Sequence, residues 1–364
     1  MSGGVDSSVA ALLLKEQGFD VHGLFMTNWE EDEQAYCTAA EDYQDARQVC
    51  LELNIPLHKV NFSAEYRQQV FQYFLDEYHA NRTPNPDVLC NREIKFGVFL
   101  DFAKRLGGEM IATGHYARIG KQGESFRLLK GKDRRKDQSY FLHAVKREVL
   151  SQVLFPLGEL DKSEVRLVAR KNGFDNFAKK DSTGICFIGE RRFRPFLQNY
   201  LPAQPGEIQT PAGEVLGQHE GLMYYTLGQR QGLGIGGQAG GASQPWYVAD
   251  KRVTDNVLVV VQGHEHPMLY SDALIAGPMY WLEGEPVRPG FRCQVKTRYR
   301  QADQACEVRV LSDGQGRVVF DEPQWAITPG QFAVLYQGDE CLGGGTILAS
   351  ESASILPAAE TASA

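Results

Sequence analysis

The 364-residue chain is 43% hydrophobic, enough to bury a sizeable core, and it exceeds the usual single-domain length, so two or three domains are expected. No stretch approaches the ~20 apolar residues that span a bilayer, and the first residues lack a basic region followed by an apolar core and a cleavage site, which points to a globular cytoplasmic protein without a membrane partner. The net charge of -8 argues against a nucleic-acid partner only until it is divided along the chain: residues 1–100 carry -9, residues 101–200 carry +9, and the remainder carries -8.

The first hundred residues alternate helix and strand. Ser7–Leu14 reads as a helix and Val21–Met26 as a strand; Thr38 with Glu41 offers a capping box for a helix running toward Leu53, and Leu57–Phe62 reads as the next strand. Ser63 is placed to cap a helix carrying Val70, Phe71, Phe74 and Leu75 at helical spacing. A further helix near Ile94–Leu106 precedes a strand at Met110–Thr113. Such alternation implies an α/β fold with a parallel sheet, whose ligands gather at the carboxyl edge, where Ser2–Ser7, Met26 and Gly114-His115 would meet. A helix at Ser163–Lys171 ends at Gly173, and Asp181–Gly189 reads as a loop.

Beyond about residue 200 the texture changes to short strands with Gly and Pro punctuation, including Gly232–Gly237 and Gly240-Gly241, and from about 265 it reads as all-β. The expected division is a catalytic domain over 1–198, a small central domain over 199–264, a β-barrel-like domain over 265–350 and a disordered tail over 351–364. In Gln294–Gln301 the alternation places Lys296, Arg298 and Arg300 on one face, to meet polyanion, and Val295, Thr297 and Tyr299 on the packing face. The basic clusters Lys130–Lys136 and Lys179–Arg194 either follow a phosphate backbone or form a solvated face; charge alone leaves both open.

Ser2-Gly3-Gly4-Val5-Asp6-Ser7 supplies what a phosphate loop needs: glycines that admit backbone N–H groups, hydroxyl donors, and a following helix whose positive end faces the anion. It lacks the Gly-Lys-Ser/Thr ending of a P-loop, which disfavours transfer of a terminal phosphoryl group. Asp6 beside phosphates calls for a cation such as Mg²⁺. The seven cysteines are odd in number and scattered without a CxxC pair, so a disulfide framework or a zinc site is not expected. Cys50 reads as a small buried hydrophobe. Cys90, in Arg82-Thr83-Pro84-Asn85-Pro86-Asp87-Val88-Leu89-Cys90-Asn91, reads as held in a stiff turn, and the bases around Cys186 favour its thiolate.

The Ser-Gly-Gly-x-Asp-Ser loop resembles the pyrophosphate loop (PP-loop) of ATP pyrophosphatases, which adenylate a carbonyl oxygen. Together with Gly23–Met26, Thr83–Asn91, Ala112–Tyr116, Lys136–Phe141, Lys179–Arg192 around Cys186, and Val295–Arg300, it is similar to the bacterial tRNA 2-thiouridylases from Met1 to about Ile347. The resemblance implies a PP-loop α/β domain followed by a small central domain and a β-barrel-like domain. It also implies ATP with Mg²⁺ as cofactors, tRNA as partner, and 2-thiolation of the wobble uridine (position 34). In that scheme the C2 oxygen is adenylated, Cys186 carries sulfur as a persulfide, and Cys90 is the nucleophile. By the same resemblance Ser2, Gly3, Gly4, Val5, Asp6, Ser7, Met26 and Gly114 bind ATP, while Asn85, Pro86 and Asp87 face the target base. Lys136, Asp137, Gln138, Arg298 and Tyr299, with His115 and Gln331, match tRNA-contacting positions. Asp87 is placed for proton transfer, although a carboxylate hydrogen-bonding its own turn explains it equally well; His115 taken alone reads as a structural histidine. A cysteine desulfurase or sulfur-relay protein would donate the sulfur, and a monomer is expected.

In that family a hydrophobic strand runs into the loop, whereas this sequence starts at the loop; the expectation is a start further upstream, and a gap in the sheet without it. Two alternatives stay open: a small-molecule adenylating ligase of the same fold, which needs neither cysteine, and a non-catalytic tRNA-binding protein.

Overall fold

The computed structural model describes residues 1–29, 33–180, 193–235, 244–284 and 290–352. The Asp181–Gly189 loop with Cys186, Arg191, Arg192, the glycines at 236, 237, 240 and 241, and residues 353–364 of the expected tail lie outside the described residues. The chain opens with helix α1 (Val5–Glu16), and its first strands are β1 (Gly23–Thr27) and β2 (Leu57–Asn61), paired in parallel with Gly23 opposite Leu57. After them come β3 (Ile111–Ala112), the hairpin β4 (Ala117–Gln122) and β5 (Ser125–Lys130), and β6 (Val153–Leu154), which pairs in parallel with β3. Among the described residues the β1–β2 and β3–β6 pairs share no strand hydrogen bonds. The loop touches both: the Met1 amine donates to the Leu24 carbonyl of β1 at 2.6 Å, and Gly114, just past β3, packs on Asp6. Val5, Val9 and Leu12 anchor α1 in a cluster with Val49, Leu53, Leu157, Val165 and Phe174; each such burial contributes roughly 1.5–3 kcal/mol.

A central sheet runs in the order β8 (Val215–His219), β7 (Gly206–Gln209), β10 (Val257–Gln262) and β9 (Trp246–Arg252), with β7 and β10 parallel. The rest is a closed antiparallel barrel. Strands β11 (Tyr270–Ala276), β13 (Gly290–Lys296), β14 (Gln304–Val310), β15 (Gly316–Trp325), β16 (Phe332–Gln337) and β17 (Glu340–Glu351) follow the order 11-15-14-13-16-17, and β17 pairs back to β11. Closure leaves no open edge within the ring, and Leu274, Val295, Val308, Val318, Leu335 and Ile347 fill its interior. The short β12 (Tyr280–Trp281) also pairs with β17. The α/β domain with parallel strands, the smaller central unit and the barrel are the expected fold class.

Several local expectations are corrected. The second helix spans Glu33–Glu52, so Thr38 lies inside it; the Glu, Gln and Ala residues ahead of Thr38 are good helix formers and extend the helix past the cap motif. The expected helix near Ile94 begins at Pro86 and runs through a π-helical stretch, Cys90–Val98, into Phe99–Arg105. Pro86 with extended Asn85 ahead of it is a helix start, because proline at the first position gives up no hydrogen bond. Cys90 is therefore helical, not in a turn. β17 reaches Glu351, one residue into the expected tail, where Arg317 donates to its carboxylate at 2.7 Å. The β4–β5 hairpin was not anticipated; Glu340 opposite Leu129 joins it to the barrel sheet.

The sign alternation of charge along the chain has a structural use. Lys130 is buried and reaches Asp303 at 2.5 Å, Arg134 and Arg118 meet Asp339 at 2.5 and 2.7 Å, and Arg127 meets Glu340 at 2.7 Å. Four basic side chains of the middle block thus pair with acidic residues of the barrel unit.

Candidate functional site

The loop is built as its residues require. Gly3 takes φ +73°, and a Cβ there would sit 2.4 Å from the Asp42 carbonyl oxygen, so both conformation and space demand glycine. Gly4 caps α1 in extended conformation with backbone only, which leaves the helix's first N–H groups unclaimed by a cap side chain. The Ser2 and Ser7 hydroxyls lie 3.1 Å apart, and Ser7 and Ser8 both donate to the Gly4 carbonyl, at 2.9 and 3.1 Å. Backbone donors, hydroxyls and a helix N-terminus together fit a polyphosphate. Gly114 is as tightly constrained: a Cβ would lie 2.8–3.0 Å from Asp6 and Ser7 backbone and Asp6 Cβ. Met26 stands at the carboxyl end of β1, half-buried.

Two supporting residues, Lys162 and Asn176, escape the sequence reading, and two others, Tyr116 and Lys179, lie in segments it singles out without a role at the loop. Lys162 Nζ reaches both Asp6 carboxylate oxygens at 2.8 Å, and the Tyr116 hydroxyl donates to Asp6 Oδ1 at 2.8 Å. Asn176 Nδ2 donates to the Gly3 carbonyl at 3.1 Å and the Ser8 hydroxyl at 2.9 Å; Lys179 pairs with Asp42 and Asp45 at 2.7 and 2.5 Å, steadying the helix against which Gly3 packs. These partners are so distant in sequence that no local pattern announces them.

The second part of the site is the segment Thr83–Asn91. Cys90 is 1% exposed and Asp87 is half-buried, and burial raises the Asp87 carboxyl above its ordinary value while the Lys95 charge opposes the shift. Asn91 Nδ2 donates to the Asp87 carbonyl at 3.0 Å and the Phe141 carbonyl at 3.4 Å. Both appended units grip the start of this segment. Thr83 N–H donates to the Pro329 carbonyl at 3.0 Å, and Gln331 Nε2 donates to the Thr83 carbonyl at 2.8 Å and the Pro84 carbonyl at 3.4 Å. The Thr83 and Thr226 hydroxyls lie 3.3 Å apart, and Lys251 Nζ donates to the Asn81 carbonyl at 3.0 Å.

Of the residues matched to tRNA contacts, Gln331 bonds this segment directly, and not all of the others face outward. Tyr299 packs on Phe141 with ring centroids 4.4 Å apart, under a guanidinium of Arg300 at 5.3 Å, and Lys136 is half-exposed. Gln138 accepts from the Tyr116 N–H at 3.0 Å. The Asp137 side chain is used within the protein: at 4% exposure its carboxylate accepts from Gly131 N, Ser139 N and the Ser139 hydroxyl at 3.0–3.1 Å, and Lys296 lies 3.5 Å away. His115 is likewise buried, at 8% exposure, bonded to Thr113 Oγ1 at 2.8 Å and packed between Phe96 and Phe155; burial, with Lys95 nearby, holds its pKa well below the usual histidine value. Arg298 donates to the Leu227 and Ala326 carbonyls at 2.9 and 2.7 Å and to Thr328 at 2.9 Å, joining central unit to barrel.

The expected alternation over 294–301 also fails. β13 ends at Lys296, which is buried between Asp137, Asp303 and the Tyr336 ring, and Arg300 adopts a left-handed φ of +68° that ends the extended chain. Among the described residues no group of three or more His, Cys, Asp and Glu side chains could hold a metal, and no helix is long and apolar enough to cross a membrane. A cleft of about 890 Å³ between Arg194, Gln198, Gln218 and Tyr224 lies on the central unit and shares no lining residue with the loop or with Thr83–Asn91.

Three family models match the chain in order: a tRNA methyl transferase HUP domain over residues 1–190, a tRNA methyl transferase PRC-barrel domain over 194–262 and an aminomethyltransferase β-barrel domain over 271–347. Curated relatives described as tRNA-specific 2-thiouridylase MnmA are similar over 95% of this chain. Those of Chromohalobacter salexigens, Methylococcus capsulatus and Vibrio cholerae are 62%, 60% and 59% identical, with 91%, 94% and 94% of their own lengths covered.

Proposed function

The chain belongs to the family of tRNA-specific 2-thiouridylases, and on that premise we propose that it converts the wobble uridine of tRNA to 2-thiouridine at the expense of ATP. The C2 carbonyl of uracil is a poor electrophile because two ring nitrogens donate into it, so its oxygen must first become a leaving group. ATP supplies that group: the C2 oxygen attacks the α-phosphorus, pyrophosphate leaves, and the base is activated as an adenylate. Ser2–Ser7, Met26 and Gly114 would hold the nucleotide, and Asp6 would be the residue facing its Mg²⁺, which would neutralise phosphate charge. Sulfur arrives as a persulfide on Cys186 from a cysteine desulfurase or a sulfur-relay protein. Cys90 then either attacks the inner sulfur of that persulfide, Cys186 Sγ, forming the disulfide and freeing hydrosulfide that displaces AMP at C2, or attacks C2 itself and expels AMP, after which the persulfide's outer sulfur replaces Cys90 at C2 and Cys90 attacks Cys186 Sγ to leave the thiocarbonyl on the base. Either way the two cysteines end as a disulfide that a cellular thiol reduces.

The observation that carries this reading is the presence in one chain of a built anion loop and a Thr83–Asn91 segment gripped from the central unit and the barrel. Asp87, half-buried and raised in pKa, suits proton transfer at the base. Cys90, 1% exposed, reacts only if tRNA binding opens the segment, and the π-helical turns that begin at Cys90, with non-helical Gly97 inside them, are where a helix yields most easily. Lys136 and Tyr299 are the tRNA-facing side chains, while Gln138 and Arg298 hold the surface around them through their bonds to Tyr116 and to Leu227, Ala326 and Thr328, and the protein acts in the cytoplasm as a monomer. Methyl transfer, which the matched family's name suggests, has no use for an ATP-adenylating loop, which favours thiolation.

The test is release of AMP from α-labelled ATP by the purified chain with a persulfide donor. AMP should appear only with tRNA carrying the uridine; AMP formed without RNA would instead indicate a small-molecule ligase, and tRNA binding with no AMP at all a non-catalytic binder.

A further inference from the structure

Asp6 is the second residue of α1, in the turn where the loop concentrates its donors for an anion. A carboxylate there repels phosphate, and the fold answers with a cation from 156 residues away. Lys162 is the first residue of the helix Lys162–Lys171, whose Asp161–Glu164 capping box fixes the helix start. Its N–H donates to the buried Asp133 carboxylate at 3.2 Å, so backbone and cap fix where the side chain departs. A lysine at a helix N-terminus opposes the helix dipole, which favours cations at the other end. Nevertheless the ammonium is turned into the protein, 11% exposed, over the Tyr116 ring at 5.7 Å and against both oxygens of Asp6. Tyr116 and Gly114 close the same side, leaving the Asp6–Lys162 pair at the loop with Asp6 the more exposed member, at 32%.

We infer that Lys162 is a further phosphate-binding residue, pairing with Asp6 in the nucleotide-free loop and with the pyrophosphate portion of ATP when nucleotide is bound. This rests on the reading that the loop binds ATP. The arriving triphosphate offers the ammonium a stronger anion than one carboxylate, and Asp6, released from Lys162, would be free to face a Mg²⁺ carried by the nucleotide. Lys162 thus keeps the loop from holding an uncompensated negative charge in either state.

The experiment is calorimetric titration of the full chain with MgATP, inorganic pyrophosphate and adenosine, for wild type, Lys162→Met, Lys162→Gln and Lys162→Arg, with thermal unfolding of each. Loss of a charge-assisted hydrogen bond should weaken MgATP and pyrophosphate about 10- to 100-fold in the Met and Gln variants, leave adenosine unchanged, and be largely rescued in the Arg variant. Unchanged MgATP affinity in a folded Met or Gln variant, or an equal loss for adenosine, would overturn the inference and leave Lys162 a brace for Asp6. Wild type that binds neither MgATP nor pyrophosphate would overturn the ATP reading itself.

Discussion

Gln331→Ala separates two roles for a residue that sequence resemblance assigns to tRNA. In the structure its side-chain amide is used inside the protein, donating to the carbonyls of Thr83 and Pro84 at 2.8 and 3.4 Å, two and one residues before Asn85. Removing it forfeits a hydrogen bond worth about 0.5–1.5 kcal/mol and strands a part-buried carbonyl, which raises the total to roughly 1–3 kcal/mol. The melting temperature should fall by about 1–4 °C. The Thr83 N–H bond to Pro329 and the close packing of Gly330 on Thr83 remain, so the segment loosens without leaving its place. A displacement on the order of 1 Å in Asn85–Asp87 lowers the rate of a positioned reaction about 100-fold. Single-turnover thiolation should therefore slow by about 10- to 100-fold while the dissociation constant for tRNA stays within about twofold of wild type. Weakened tRNA binding with an unchanged single-turnover rate would refute the reasoning and make Gln331 an RNA contact.

Gly114→Ala places a methyl 2.8–3.0 Å from Asp6 and Ser7, so the loop must shift; it should cost about 1–3 kcal/mol and weaken MgATP binding, read by calorimetry and thermal melts. Asp87→Asn should raise stability in denaturant at neutral pH: burial raises the carboxyl's folded pKa, so its contribution is favourable at low pH and is lost as pH rises through that value. The gain should shrink toward about pH 4, and the variant should lose thiolation activity. His143, buried against Phe332 and bonded to the Tyr140 carbonyl at 2.7 Å, has its pKa lowered by burial from 6.5 to about 4. Its neutral form is therefore a source of stability at neutral pH that falls by up to about 1.4 kcal/mol per pH unit between those values; buried His115 acts in the same direction, and acid titration of the unfolding midpoint measures the sum.

The loop was legible because its chemistry is local: glycine conformation, hydroxyls and a helix start all lie within Ser2–Ser8. The barrel was legible as β texture, but its closure through β11 and β17 was not, since pairing between strands some seventy residues apart leaves no sequence period. Proline misled at Cys90, where Pro84 and Pro86 suggested a turn although Pro86 opens a helix. Charge misled at Lys130, Lys296 and Asp137, which read as surface groups and are buried because each finds its countercharge on another unit. The same non-local logic hid Lys162 and Asn176, whose value lies wholly in what they touch.

The central claim is that this chain installs sulfur on tRNA through two cysteines, and nucleoside mass spectrometry of tRNA tests it most directly. Cells whose only copy of the enzyme is wild type should contain 2-thiouridine at the wobble position, and cells carrying Cys186→Ser or Cys90→Ser should lack it while the variant proteins remain folded and bind tRNA. Normal 2-thiouridine in the Cys186→Ser cells, with no second thiolating enzyme present, would contradict the account.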